Sequence, residues 1–96
     1  MKTEVQVTQE CIDKGVAEDR RQCPIARALM PLVADGIGVQ VDKERMGFDD
    51  GEHVWSVGTP KECDWFIEDF DYGEPVAPFS FTLDVPDDVL KAKEAK

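Results

Sequence analysis

The side chains best suited to chemistry crowd into residues 61–74, KECDWFIEDFDYGE. Glu62, Asp64, Glu68, Asp69, Asp71 and Glu74 put six carboxylates into this segment, against Lys61 as its one base. Neighbouring carboxylates serve general acid–base catalysis when a cleft drives their pKa values apart. Nothing around these residues predicts a cleft. Asp49, Asp50 and Glu52 flank Gly51 in a second acidic group, but the ligand spacing of a calcium loop is missing. A third use needs no reaction: a row of carboxylates on one helix presents anionic charge to a basic partner.

The remaining candidates are few. Cys11, Cys23 and Cys63 form no C-x-x-C, and the single histidine, His53, is far from each of them in sequence. An odd cysteine count without paired spacing reads as small apolar residues and not as a disulfide or zinc framework. Cys23 precedes a helix start, where a helix dipole can lower a thiol pKa. His53 stands in a strand beside Trp55 and reads as a sheet-face residue. A glycine-rich phosphate loop, a nucleophile elbow and an H-E-x-x-H pattern are all missing, so the expectation is a non-enzymatic chain without cofactor or metal.

The chain is 96 residues long, which predicts a single domain, 1–96, and its 42% hydrophobic content predicts a packed core and not an acidic tail. No apolar run approaches the roughly 20 residues of a membrane span. The N-terminus MKTEVQVTQE has no apolar leader, which predicts a cytoplasmic location. Net charge is −10, unevenly spread: residues 46–90 hold twelve acids and Lys61, so −11, and the rest sums to +1. Such a field disfavours nucleic acid and anionic membranes as direct partners and favours a basic protein surface.

Periodicity supplies the elements that must position these residues. TEVQV (3–7) alternates as a strand. Thr8 follows as an N-cap, with Val7 and Ile12 spaced as a hydrophobic staple and Gly15 as a left-handed helix end. Pro24 opens a helix whose apolar stripe is Ile25, Ala28, Leu29, Leu32 and Val33, kinked or broken at Pro31. IGVQVD (37–42) and EHVWSVG (52–58) read as two strands of a hairpin, with MGFDDG (46–51) as its turn. Thr59-Pro60-Lys61-Glu62 has the form of a capping box, opening a helix that runs to about Tyr72 and ends at Gly73. FSFTLDV (79–85) is a further strand, and residues 86–96 a short C-terminal helix. The order β-α(α)-β-β-α-β predicts an α+β, ferredoxin-like fold: one four-stranded antiparallel sheet with its helices on one face. An RNA-recognition module of that fold needs a basic sheet and an RNP1-like run, and both are missing.

Within the acidic helix, Cys63, Phe66, Ile67 and Phe70 form the inward stripe. Two lines remain outside: Asp64, Glu68 and Asp71, and Glu62, Trp65, Asp69 and Tyr72. Like charges a helical turn apart cost a few tenths of a kcal/mol per pair. A solvated face accounts for them on a soluble acidic protein. The sharper reading is a sparse imitation of DNA phosphates, which lie about 1.7 Å apart per charge along the duplex axis. Trp65 and Tyr72 would be the aromatic anchors of such an interface.

VTQECIDKGV (7–16), CPIARAL (23–29) and FDYGEPVAPFSFTLDVP (70–86) resemble a family of small proteins encoded by bacteriophages and prophages. The shared pattern is V-T-x-x-x-I-x-x-G, then C-P-[IV]-A-x-A-L, then F-D-x-G-x-P-V-x-P-F-x-F. The resemblance brings no catalytic residues with it. It implies a host cytoplasm as the setting and host machinery as the target, by analogy with anti-CRISPR proteins, several of which look like ferredoxin-type or DNA-mimicking folds. The leading expectation is an acidic inhibitor that binds the basic nucleic-acid-binding surface of a host defence complex through Asp64, Glu68, Asp69, Asp71, Glu74 and Trp65, with Asp49, Asp50 and Glu52 extending the patch. The alternative is an accessory or structural phage protein that binds through apolar contacts, such as the CPIARAL helix or Trp55. An enzyme built on Cys23 ranks third.

Overall fold

Strand pairing follows the alternation of the sequence, with one strand more than the pattern suggests. A computed structural model describes residues 2–90. β1 (Lys2–Val7) and β5 (Phe79–Asp84) pair antiparallel as a two-stranded ribbon, with Val5 opposite Phe81 and Val7 opposite Phe79. β2 (Gly38–Val41), β3 (Arg45–Asp49) and β4 (Val54–Gly58) form a separate antiparallel sheet in that order. The fold is α+β, but its strands make two sheets and not one four-stranded sheet.

The difference arises at MGFDDG. Met46 and Phe48 alternate with Gly47 and are both fully buried, so the first half of this stretch is strand β3 and only its end is a turn. Flanking glycine and aspartate masked a strand of one methionine and one phenylalanine. The outer edge of β2 is engaged by the chain before the second helix: Val41 N–H donates to Arg20 O at 2.8 Å.

Helices link the two sheets. α1 (Gln9–Lys14) starts at Thr8, whose Oγ1 accepts the Cys11 N–H at 3.2 Å, as the capping pattern requires. Gly15 is extended (φ −70°) and not left-handed; it is needed for space, because a Cβ there would stand 2.6 Å from the ring of Pro24. α2 (Pro24–Leu29) packs on both β1 and β2. It gives way to a 3-10 turn at Met30–Leu32, where Pro31 supplies no N–H to continue the α pattern. α3 (Lys61–Asp71) closes the core with Cys63, Phe66 and Ile67, and the Phe66 ring lies 4.9 Å from that of Phe79. A second 3-10 turn, Asp87–Val89, precedes a bridge between Leu90 and Val33. The rest of the expected C-terminal helix lies outside the described residues. Among the described residues, no helix is long and apolar enough to cross a membrane.

Candidate functional site: the acidic helix and its surroundings

α3 begins one residue later than the capping pattern suggests. Pro60 is its N-cap, and the Thr59 hydroxyl donates instead to the Asp42 carbonyl at 2.8 Å. The capping box therefore does not form. Thr59 ties the helix start to the β2–β3 turn. At the other end Gly73 takes φ +80°, with Glu74 N–H donating to Asp69 O at 2.9 Å and Gly73 N–H to Phe70 O at 3.1 Å. This is a Schellman ending, which needs a residue without a side chain at Gly73.

The two acidic lines have different roles. Asp64, Glu68 and Asp71 face the β2–β3 turn and the 16–22 loop. Lys43 Nζ lies 3.4 Å from Glu68 Oε1 and 3.9 Å from Asp64 Oδ1. Asp71 Oδ1 accepts the Glu18 N–H at 2.8 Å. Glu18 has φ +60°, a costly conformation for a residue with a side chain, and this bond holds it there. So these three carboxylates anchor neighbouring loops, and together they are not a free row of charge. Beside them a cavity of about 410 Å³ opens between Asp19, Arg20, Cys23, Val41, Lys43 and Ile67.

The other line faces solvent. Trp65 is 62% exposed and Tyr72 74%, with Glu62 and Asp69 exposed beside them and Glu74 exposed beyond the helix end. Large aromatic residues this open to water are unusual, and they share one face with carboxylates that have no ion pair among the described residues.

The second acidic group is elsewhere. Asp50 closes the β3–β4 hairpin: its Oδ1 accepts the N–H groups of His53 at 2.7 Å and Glu52 at 2.8 Å, and these bonds hold its carboxyl below the usual aspartate range. Asp42 does the same in the β2–β3 turn, accepting from Arg45 at 2.8 Å and Glu44 at 3.0 Å, and its pKa is lowered for the same reason. Asp49 is half-buried, with its carboxylate beside Gly38. The β2–β3 turn touches α3, whereas the hairpin tip lies at the opposite end of β3, roughly 13 Å away along the strand. Asp49, Asp50 and Glu52 therefore do not continue the α3 patch along the sheet.

Cys23 and Cys63 are buried, and desolvation raises both thiols, Cys63 to about 12. A raised pKa is the reverse of what a nucleophilic Cys23 needs, and α2 is only six residues long. The apolar side chains of the CPIARAL helix, Pro24, Ile25, Ala26, Ala28 and Leu29, are all buried. His53 is exposed, with its ring 5.9 Å from that of Trp55. Among the described residues, no group of His, Cys, Asp or Glu could hold a metal ion. Sequence reasoning missed Lys43, which lies in a polar turn and gives no local sign of the helix it pairs with. No protein-family model, curated protein or solved structure matches the chain.

Proposed function

We propose that this chain is a phage-encoded acidic binding protein that inhibits a host nucleic-acid-binding defence complex, in the manner of anti-CRISPR proteins, by occupying a basic surface with the outer face of α3. One observation carries the reading: Trp65 and Tyr72 stand 62% and 74% exposed on a helix face they share with Glu62 and Asp69. The aromatic residues act as anchors, and the carboxylates supply charge complementarity and steering. Since Asp64, Glu68 and Asp71 also hold Lys43 and the Glu18 backbone, mimicry of a phosphate row falls to Glu62, Asp69 and Glu74.

The test is capture from host lysate with the tagged chain, at low and high salt, with and without competing duplex DNA. A nucleic-acid-binding complex that is retained at low salt, displaced by DNA and lost with Trp65→Ala plus Asp69→Lys supports the proposal. Retention by that double variant refutes the role of α3. Binding that ignores salt and DNA favours the alternative, an accessory protein using apolar contacts, for which Val16, Met30, Val54, Trp65 and Tyr72 are the exposed large apolar side chains among the described residues.

A further inference from the structure

We propose that the outer edge of β4 is a second docking site, built to take an extended, basic segment of a partner protein as an added strand. β4 has a neighbour, β3, on one side only. Asp50 N–H donates to His53 O at 3.2 Å and Thr59 N–H to Glu44 O at 3.0 Å, one bond at each end of the β3–β4 pairing. Antiparallel partners alternate between bonded and non-bonded pairs, so Trp55 and Val57 also direct their backbone groups to β3. Val54, Ser56 and Gly58 direct theirs outward, and among the described residues no backbone partner reaches them.

The other strands are better guarded. The β2 edge receives Arg20 O. β1 carries exposed Lys2 and Glu4, and β5 exposed Asp84, charges of the kind that discourage added strands. β4, VWSVG, has no charge, no proline and no bulge, and Val54 is 78% exposed. At the start of this strand a cavity of about 770 Å³ is lined by Asp50, Glu52, His53, Val54, Trp55 and Asp88, three carboxylates with no lysine or arginine among them.

That charge selects the occupant. An extended segment bearing lysine or arginine fits both features. Its backbone bonds Val54, Ser56 and Gly58, its apolar side chains lie beside Trp55 and Val57, and a basic one enters the carboxylate-lined cavity. The site is on a different element from the exposed face of α3, so either proposal can fail without the other.

The probe is a library of displayed random peptides, selected on the full chain at low salt. The enriched sequences are expected to alternate apolar residues with lysine or arginine. Bound peptide should protect the amides of Val54, Ser56 and Gly58 from hydrogen exchange. Ser56→Pro removes an outward N–H without breaking a bond to β3, and Glu52→Lys with Asp88→Lys reverses the cavity charge; each should weaken binding about tenfold or more. Val54→Lys, an exposed position, replaces Ser56→Pro if the proline variant loses its native spectrum. Failure to enrich peptides, enrichment of acidic ones, or undiminished binding to the edge variants overturns the proposal. Protection of these amides that appears without peptide and grows with protein concentration assigns the edge to a second copy, and also overturns it.

Discussion

Gly15→Ala is expected to destabilise the chain although the backbone at this position suits alanine. Gly15 has φ −70° and ψ 152°, which any residue adopts. On that ground alone the substitution would stabilise by about 0.4–1 kcal/mol, by restricting the unfolded chain. Space decides otherwise. The new Cβ would lie 2.6 Å from both Cδ and Cγ of Pro24 and 2.8 Å from its nitrogen, whereas carbon atoms pack at about 3.5–4.0 Å. The ring cannot swing aside, because Pro24 is fully buried and begins α2. Relief requires α1 and α2 to separate by about 1 Å, an overpacking cost of about 1–3 kcal/mol. The net effect is a loss of about 1–2 kcal/mol, or roughly 4–16 °C in Tm for a domain of this size. Gly58→Ala is the control, since its Cβ would meet nothing within 4 Å and its φ is not left-handed. Thermal and urea unfolding of the two variants give the comparison. A Gly15→Ala protein as stable as Gly58→Ala would refute the close-approach argument.

Adjacent residues on α3 should separate binding from folding. Trp65→Ala should leave stability within about 0.5 kcal/mol and weaken partner capture, while Phe66→Ala, 8% exposed against Phe79, should cost about 3–5 kcal/mol in a urea titration. Lys43→Met releases Asp64 and Glu68; because the lysine is half-exposed, stability should fall by less than about 1 kcal/mol, and binding to a basic partner should tighten at low salt. Asp42 and Asp50 have folded pKa values below the unfolded aspartate value of about 3.9. Their contribution is therefore present above that pH and lost as pH falls through the folded values, so Asp42→Asn and Asp50→Asn should flatten the acid limb of a Tm-against-pH curve. Cys23 and Cys63, buried with raised thiols, should react with iodoacetamide only on unfolding, while half-buried Cys11 reacts in the folded chain.

Much of the local structure was legible in the residues. Thr8 caps α1, Pro24 opens α2, Pro31 ends its α pattern, and Gly73 closes α3, because each acts within about a turn of its own position in the chain. The inward stripe of Cys63, Phe66 and Ile67, with Phe70 half-buried at its end, follows from helical period alone, whereas the exposure of Trp65 and Tyr72 depends on no other element packing over their face. Two local signals misled. Glycine and aspartate around Met46 and Phe48 disguised a strand, and Thr59 gave up its capping role for the Asp42 carbonyl. Only the tertiary structure decided which acids of α3 are free. Asp64 and Asp69 are both aspartates on one helix, yet Asp64 faces Lys43 and Asp69 faces water. Periodicity assigns side chains to faces of a helix, whereas which loop comes to lie against a face depends on strand pairing between residues far apart in the chain. The same reason hid the open edge of β4: a strand's side chains are written in its own sequence, but its missing neighbour is a property of the whole sheet.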